Sequence, residues 1–222
     1  MLQWDITDLN ALSGRVSSIL AAFPQLDTVF INAGIQKLFS FLDAASSSPE
    51  SVIAEINSNL TAPLLLARLF LPHLQSLASA GAPANLLITS SSLGYLPLSF
   101  YPVYCPTKAA IHSFCIVLRQ QLAYAPEAIK KNLNVVEIVP PYTDTDLDKE
   151  HRAASVEMQG GPDKAFKPMP LDEYVQQAFE GLKFMNGDGA AKKEVAVGLG
   201  QMCVDTWRGG FGKILESMGI DC

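Results

Sequence analysis

Charge is scarce in this chain: Asp, Glu, Lys and Arg make up 17% of its 222 residues. Positive charge is scarcer still, with 16 Lys+Arg against 22 Asp+Glu and a formal net charge of -6. Duplex binding needs a basic face, so nucleic acid is excluded as the main partner. A nucleotide cofactor is not excluded, because backbone amides and helix dipoles can hold phosphate. Histidine is rare. His73, His112 and His151 have no mutual spacing that suggests ligands, so no metal is expected. Cys105, Cys115, Cys203 and Cys222 follow no metal or redox pattern and read as free thiols in a reducing compartment. Long hydrophobic runs are absent too. The most apolar window, Leu60 to Leu74, is interrupted by Pro63, Arg68, Pro72 and His73 and is too short to cross a bilayer. Met1 to Asp5 has no basic stretch and no apolar h-region, which argues against a signal peptide. A cytoplasmic location with no membrane partner is the expectation.

Hydrophobic residues are plentiful at 49%, enough for a large core in one domain spanning 1–222. Short apolar runs alternate with longer helical patterns. Leu26 to Asn32, Asn85 to Ser90, Leu133 to Val139 and Glu194 to Val197 read as buried strands, flanked by turn residues and without clean polar alternation. Leu9 to Phe23, Pro49 to Leu71, Tyr104 to Tyr124 and Leu171 to Phe184 read as helices, the second behind the Ser46-Ser47-Ser48 cap region. Strand–helix alternation of this kind predicts an α/β layered fold with a mainly parallel sheet. Thr143 to Pro170 is polar and rich in Gly, Pro, Asp and Lys, as lids and binding loops are. Gly198 to Cys222 reads as a glycine-rich extension ending in a short helix over 213–218.

The chemistry concentrates around Tyr104-Cys105-Pro106-Thr107-Lys108. A Tyr and a Lys four apart share one helix face. A phenol titrates near 10. A neighbouring ammonium stabilises the phenolate and brings that value toward the working range. Ser91, in the run Ser90-Ser91-Ser92-Leu93-Gly94, lies at the end of a predicted strand, where parallel sheets place their sites. Its hydroxyl can hydrogen-bond a carbonyl oxygen while Tyr104 gives or takes the proton.

These residues, with Asn32-Ala33-Gly34 after the first strand, Asn59 in mid-helix and Val139-Pro140-Pro141-Tyr142-Thr143-Asp144-Thr145, resemble the short-chain dehydrogenase/reductases. The Pro-Pro variant, with Tyr-Cys-x-Thr-Lys-Ala-Ala and a nearby His-Ser-Phe, is similar to the subgroup named after lipoteichoic-acid-operon oxidoreductases. The match runs from about Asp5 to about Leu147, in order and in spacing. It implies a Rossmann-like, doubly wound parallel sheet. It also implies reversible hydride transfer between NAD(P), with NADP favoured, and a carbonyl or alcohol on a small organic substrate. By resemblance, Tyr104 is the general acid/base. Lys108 lowers its pKa and binds the nicotinamide ribose, Ser91 polarises the carbonyl, and Asn59 holds a relay water. Asn32, Ala33 and Gly34 line the adenosine side of the cofactor. Asp5 and Ile6 match the adenine contact, although Asp5 or Asp8 can equally cap the following helix. Pro140, Pro141, Tyr142 and Thr143 frame the nicotinamide, and 143–170 is the substrate lid. A homodimer or homotetramer is implied, with the Asn59 and Tyr104 helices at the interface.

The family pattern opens with a strand, a Gly-rich turn and a helix that cradle the pyrophosphate. No residue before Asp5 supplies it. Gly198-Leu199-Gly200 and Gly209-Gly210-Phe211-Gly212 follow the last predicted strand and read as no substitute. The chain is therefore expected to be N-terminally truncated relative to the family, without its first βαβ portion, and its first strand to be an exposed edge. Two readings follow: an NAD(P)-dependent oxidoreductase, or a cofactor-free remnant acting as a binding or assembly protein or as a non-redox proton-transfer enzyme.

Overall fold

A computed structural model describes residues 3–186 and 191–220. Four strands, β1 (Thr28–Ile31), β2 (Ala84–Thr89), β3 (Leu133–Val139) and β4 (Glu194–Ala196), lie side by side in that order, all parallel. Register is set by aliphatic pairs: Ile31 faces Ile88, Leu87 faces Val136, and Val139 faces Ala196. β2 and β3 are buried on both faces, as their largely apolar runs predict. β1 alternates instead. Val29 and Ile31 point into the core, and Phe30 stands 49% exposed on the other side.

Helices cover both faces, so the sheet is doubly wound as expected. On one face α1 (Leu12–Ala22), α3 (Ala62–Ser79) and α4 (Tyr104–Leu122) bury Leu12, Val16, Leu66, Phe70, Leu74, Ile111 and Leu118 against Val29, Leu86 and Ile88. On the other, α7 (Leu171–Leu182) and the turn after it pack a smaller cluster of Leu87, Val136, Ile138, Phe184 and Val195.

Helix α2 (Pro49–Ile56) starts where the serine cluster predicts, with Ser48 Oγ accepting the Ser51 N–H at 3.2 Å. It passes through a π turn, Asn57–Thr61, straight into α3. The predicted stop at Leu71 is wrong. Pro72 is exposed, so the backbone carbonyl it leaves without a donor faces water, while Leu74 and Ala78 are fully buried and hold the helix to Ser79. Short helices α5 (Glu127–Asn132) and α6 (Arg152–Met158) lie in stretches that show no periodicity.

The glycine-rich extension is also a correction. It is helical from its start, as α8 (Leu199–Trp207), a π turn over Arg208–Gly212 and α9 (Lys213–Ser217). A Cβ at Gly200 would lie 2.2 Å from the Val139 carbonyl oxygen, so this glycine lets α8 touch the end of β3. Cys105, Cys115 and Cys203 are buried free thiols, and Cys222 lies outside the described residues. Among the described residues no helix is long and apolar enough to cross a membrane.

Candidate active site

The carboxyl ends of β1, β2 and β3 deliver Asn32–Gly34, Ser90–Ser92 and Pro140–Thr143 to one rim of the sheet, and the first turns of α4 add Tyr104 and Lys108. All ten of Asn32, Ala33, Gly34, Ser91, Tyr104, Lys108, Pro140, Pro141, Tyr142 and Thr143 line a single cavity of about 1290 Å³.

Ser91 is buried, and its Oγ accepts the Leu93 N–H at 3.1 Å, which leaves its own hydrogen to be donated. Burial pushes the Tyr104 phenol well above its ordinary pKa, and a hydrogen bond from Ser91 works against that. Lys108 is engaged elsewhere in this arrangement. Lys108 Nζ donates to the Thr89 carbonyl at 2.9 Å and lies 5.5 Å from the Tyr104 ring centroid. Burial also lowers the ammonium pKa to about 8.

Asn59 sits in the π turn, a feature common at functional sites. It lies behind the cavity wall rather than on it. Its Oδ1 accepts the Ile35 N–H at 2.9 Å and its Nδ2 donates to the Ile35 carbonyl at 2.8 Å. Pro63, four residues on, has no N–H to offer the Asn59 carbonyl. A Cβ at Gly34 would sit 3.0 Å from Asn59 Oδ1 and 3.6 Å from Lys108 Nζ, so the glycine lets both close in on the strand end. Asn32 ties β1 to β2, its Oδ1 accepting from Thr89 Oγ1 at 2.8 Å.

Asp5 and Ile6 are not brought to the cavity. Asp5 Oδ1 accepts both the Thr7 N–H and the Thr7 hydroxyl at 2.8 Å, a local turn in exposed chain. Ile6 packs on the core around Leu12, and Asp8 accepts the Ala11 N–H at 3.3 Å ahead of α1.

The 143–170 segment closes on itself. Tyr142, Thr143 and Asp144 pair with Met169 at its neck, where Met169 N–H donates to the Tyr142 carbonyl at 2.8 Å. Asp148 is the anchor. It accepts from Tyr142 OH at 2.8 Å and from Arg152 Nε at 3.0 Å, and Arg152 also reaches Asp144 at 2.8 Å. Burial pushes the Asp148 carboxyl up, but the Arg152 and Tyr142 hydrogen bonds outweigh it and hold the pKa low. Tyr101 OH meets Ser155 Oγ at 3.2 Å and joins α6 to the wall beside Tyr104. The cavity-facing side of the segment is more apolar than its composition suggests, with Leu147, Phe166, Met169 and Pro170 opposite Leu96, Leu98 and Phe100 of the facing loop.

Two buried carboxyls were not singled out from the sequence. Glu55 lies one helical turn before Asn59. Its Oε1 accepts the Lys37 N–H at 3.0 Å, its Oε2 has no partner, and burial pushes its pKa up to about 7. Glu137 stands in the middle of β3. A charged residue inside the apolar run Leu133 to Val139 was the available signal.

The family comparison fits this layout. The model described as short chain dehydrogenase matches residues 1–155. The chain belongs to the short-chain dehydrogenase family. It is 32% identical over 219 residues to the uncharacterized oxidoreductase DltE of Bacillus subtilis (strain 168), covering 97% of this chain and 76% of that protein. A dehydrogenase/reductase SDR family protein 7-like of Anopheles gambiae is 28% identical over 147 residues, and the match spans 42% of its length. Among solved structures, a short-chain dehydrogenase from Burkholderia cenocepacia J2315 in complex with NADP superposes with a TM-score of 0.66 at 19% identity, over 98% of this chain and 79% of that one. A 3-ketoacyl-(acyl-carrier-protein) reductase from Brucella melitensis complexed with NADH gives 0.65 at 21%, over 87% and 74%. The fold is the short-chain dehydrogenase Rossmann fold.

Proposed function

We propose that the site performs NAD(P)-dependent interconversion of a carbonyl and an alcohol on a small organic molecule. The observation that carries this reading is the meeting of Ser91, Tyr104 and Lys108 on one cavity wall, with Asn59 directly behind. A bound nicotinamide would supply or accept the hydride. Lys108 and Gly34 would hold its ribose and Pro140 to Thr143 its ring, all of them lining the cavity. The pyrophosphate side has less to offer. Gly198 and Gly200 do form a strand-to-helix turn, but a Cβ at Gly198 would crowd Met169 and one at Gly200 would meet the Val139 carbonyl, so protein already fills that turn. NADP over NAD remains part of the proposal.

The chain's own groups then act as follows. Ser91 donates to the substrate oxygen. Tyr104, held protonated by burial, gives its proton to that oxygen in the reducing direction and takes it back in the other. Turning the Lys108 ammonium from the Thr89 carbonyl to the phenol eases that transfer, and a water held by Asn59 passes protons onward. The apolar wall of Leu96, Leu98, Phe100, Phe166 and Met169 favours a largely hydrocarbon substrate.

Calorimetric titration with NADPH and then NADH tests the reading, followed by turnover of an apolar ketone. Micromolar binding of either cofactor with turnover upholds it. A folded chain that binds neither, alone or in its native assembly, leaves the second reading, a non-redox protein of the same fold. The filled Gly198–Gly200 turn and the half-exposed Phe30 on β1 favour that one.

A further inference from the structure

Glu137 lies between β2 and β4 with no solvent contact, at 0% exposure. A carboxylate in such a place is costly unless donors surround it. Three do. Ser90 Oγ donates to Oε1 at 2.5 Å, and Tyr95 OH at 3.1 Å and His112 Nδ1 at 2.9 Å both meet Oε2. His112 is a donor here in the tautomer that carries its hydrogen on Nδ1. The next strand places Glu194 beside it in register, and that second carboxylate is held separately, by Arg119 at 2.7 Å and Arg208 at 2.6 Å.

The three donors come from the pieces that must be aligned for catalysis. Ser90 immediately precedes Ser91. Tyr95 closes the same turn, whose middle is the single helical turn Ser92–Gly94. His112 follows Lys108 by four residues on α4, so Tyr104, Lys108 and His112 share one stripe of that helix. Glu137 itself is on the strand that leads into Pro140. One carboxylate therefore grips both ends of the Ser91 turn and the helix that carries the Tyr–Lys pair. Gly94 supplies the close approach: a Cβ there would lie 2.8 Å from the Lys108 carbonyl carbon. Glu137, Tyr95 and His112 do not line the cavity, so none of them meets a bound molecule.

We infer that Glu137, together with His112, is a positioning residue that keeps the Ser91 hydroxyl aligned with Tyr104. This rests on the oxidoreductase reading for its catalytic consequence, but not for its structural one. The test uses Glu137→Gln, which keeps the shape and gives up half of the acceptor capacity, in the full chain.

The first arm is hydrogen exchange by mass spectrometry, which needs no substrate. Amides of 92–96 should exchange about tenfold faster or more, with those of 111–118 in α4 changed by less than about twofold. Unchanged exchange in 92–96, or equal acceleration in α4, overturns the inference. If Glu137→Gln does not fold, Tyr95→Phe takes its place. That variant leaves two donors on the carboxylate and should give the same pattern at smaller amplitude. The second arm is kinetic. Turnover should fall by about 10- to 100-fold with the substrate KM within about twofold, the signature of lost alignment rather than lost binding. A kcat unchanged, or lowered only with the folded fraction, also overturns it. If the unmodified chain proves inactive the functional reading fails, and the exchange arm still decides whether Glu137 holds the turn.

Discussion

On the α4 side of the cavity, Ser91, Tyr104 and Lys108 are buried, and each is held by a partner from another segment. On the β1 side, Asn32 and Ala33 are exposed, and Phe30 stands open on the sheet face beyond them. The first wall is finished by folding itself. Its geometry comes from a glycine pressed on a backbone, a carboxylate with three donors and an asparagine clamped to Ile35. The second wall is shaped by little more than a strand end. The two walls are thus built differently, and substitutions on them should fail in different ways.

The largest effect belongs to the finished wall. Tyr104→Phe removes the hydroxyl proposed as the proton donor and leaves the ring that packs with Tyr101. Turnover should fall by about 10²- to 10⁴-fold, the usual worth of a general acid, while the melting temperature moves by only a few degrees. Unchanged turnover in that variant would rule the mechanism out.

Next comes Gly94→Ala. The added methyl meets Lys108 and Ala109 backbone at 2.8 to 3.0 Å, and backbone cannot swing aside as a side chain can. A stability loss of about 1–3 kcal/mol is expected in denaturant titration, together with a fall in kcat as the Ser91 turn lifts from α4. A neutral Gly94→Ala would mean that the contact between turn and helix is loose and the contrast between the walls overstated.

What the sequence made legible has a common feature: the residues lie close together in the chain or repeat with a structural period. Tyr104 and Lys108 share a helix face because they are four apart. Leu133 to Val139 forms the strand expected, residue for residue, because only Asn134 and Glu137 break its apolar run. What stayed hidden depends on partners far apart. Glu137 needs His112 and Ser90, 25 and 47 residues away, pairings that no periodicity announces. Glycine misled in the extension, where Gly200 is a contact point on β3 rather than a helix breaker. Asp5 and Ile6 were assigned by position in a pattern, and the local turn at Thr7 decides otherwise for Asp5. The Lys108 ammonium illustrates the limit best. Its place on the helix is readable, but its hydrogen-bond partner is a strand carbonyl.

Glu55 sharpens the comparison through pH. Burial raises its pKa from an ordinary 4.5 to about 7 in the folded chain. Between those values the unfolded chain has released the proton and the folded chain still holds it. Stability from this group is thus fully present below about pH 4.5 and is lost as pH rises to about 7. Glu55→Gln cannot ionise, so it should match the parent in acid and exceed it above pH 7, by up to about 3 kcal/mol. Chemical denaturation at pH 5 and pH 8 reads the difference. A gain of equal size at both values would show that Glu55 does not titrate in this range.

Phe30 should give the smallest effect of all, and it probes the open wall directly. Its neighbours in the strand, Val29 and Ile31, are buried, and truncating residues like them costs about 2–5 kcal/mol. Phe30 is half exposed, so little apolar area returns to water when it is shortened. Phe30→Ser should change stability by less than about 1 kcal/mol and leave Tyr104 chemistry intact. Its visible consequence should be in solution behaviour, because an apolar ring on an edge strand invites self-association. Light scattering at rising concentration should show less association in the variant than in the parent. A loss of about 3 kcal/mol instead would mean that Phe30 is packed as firmly as the α4 wall, and the two sides of the cavity would then be alike.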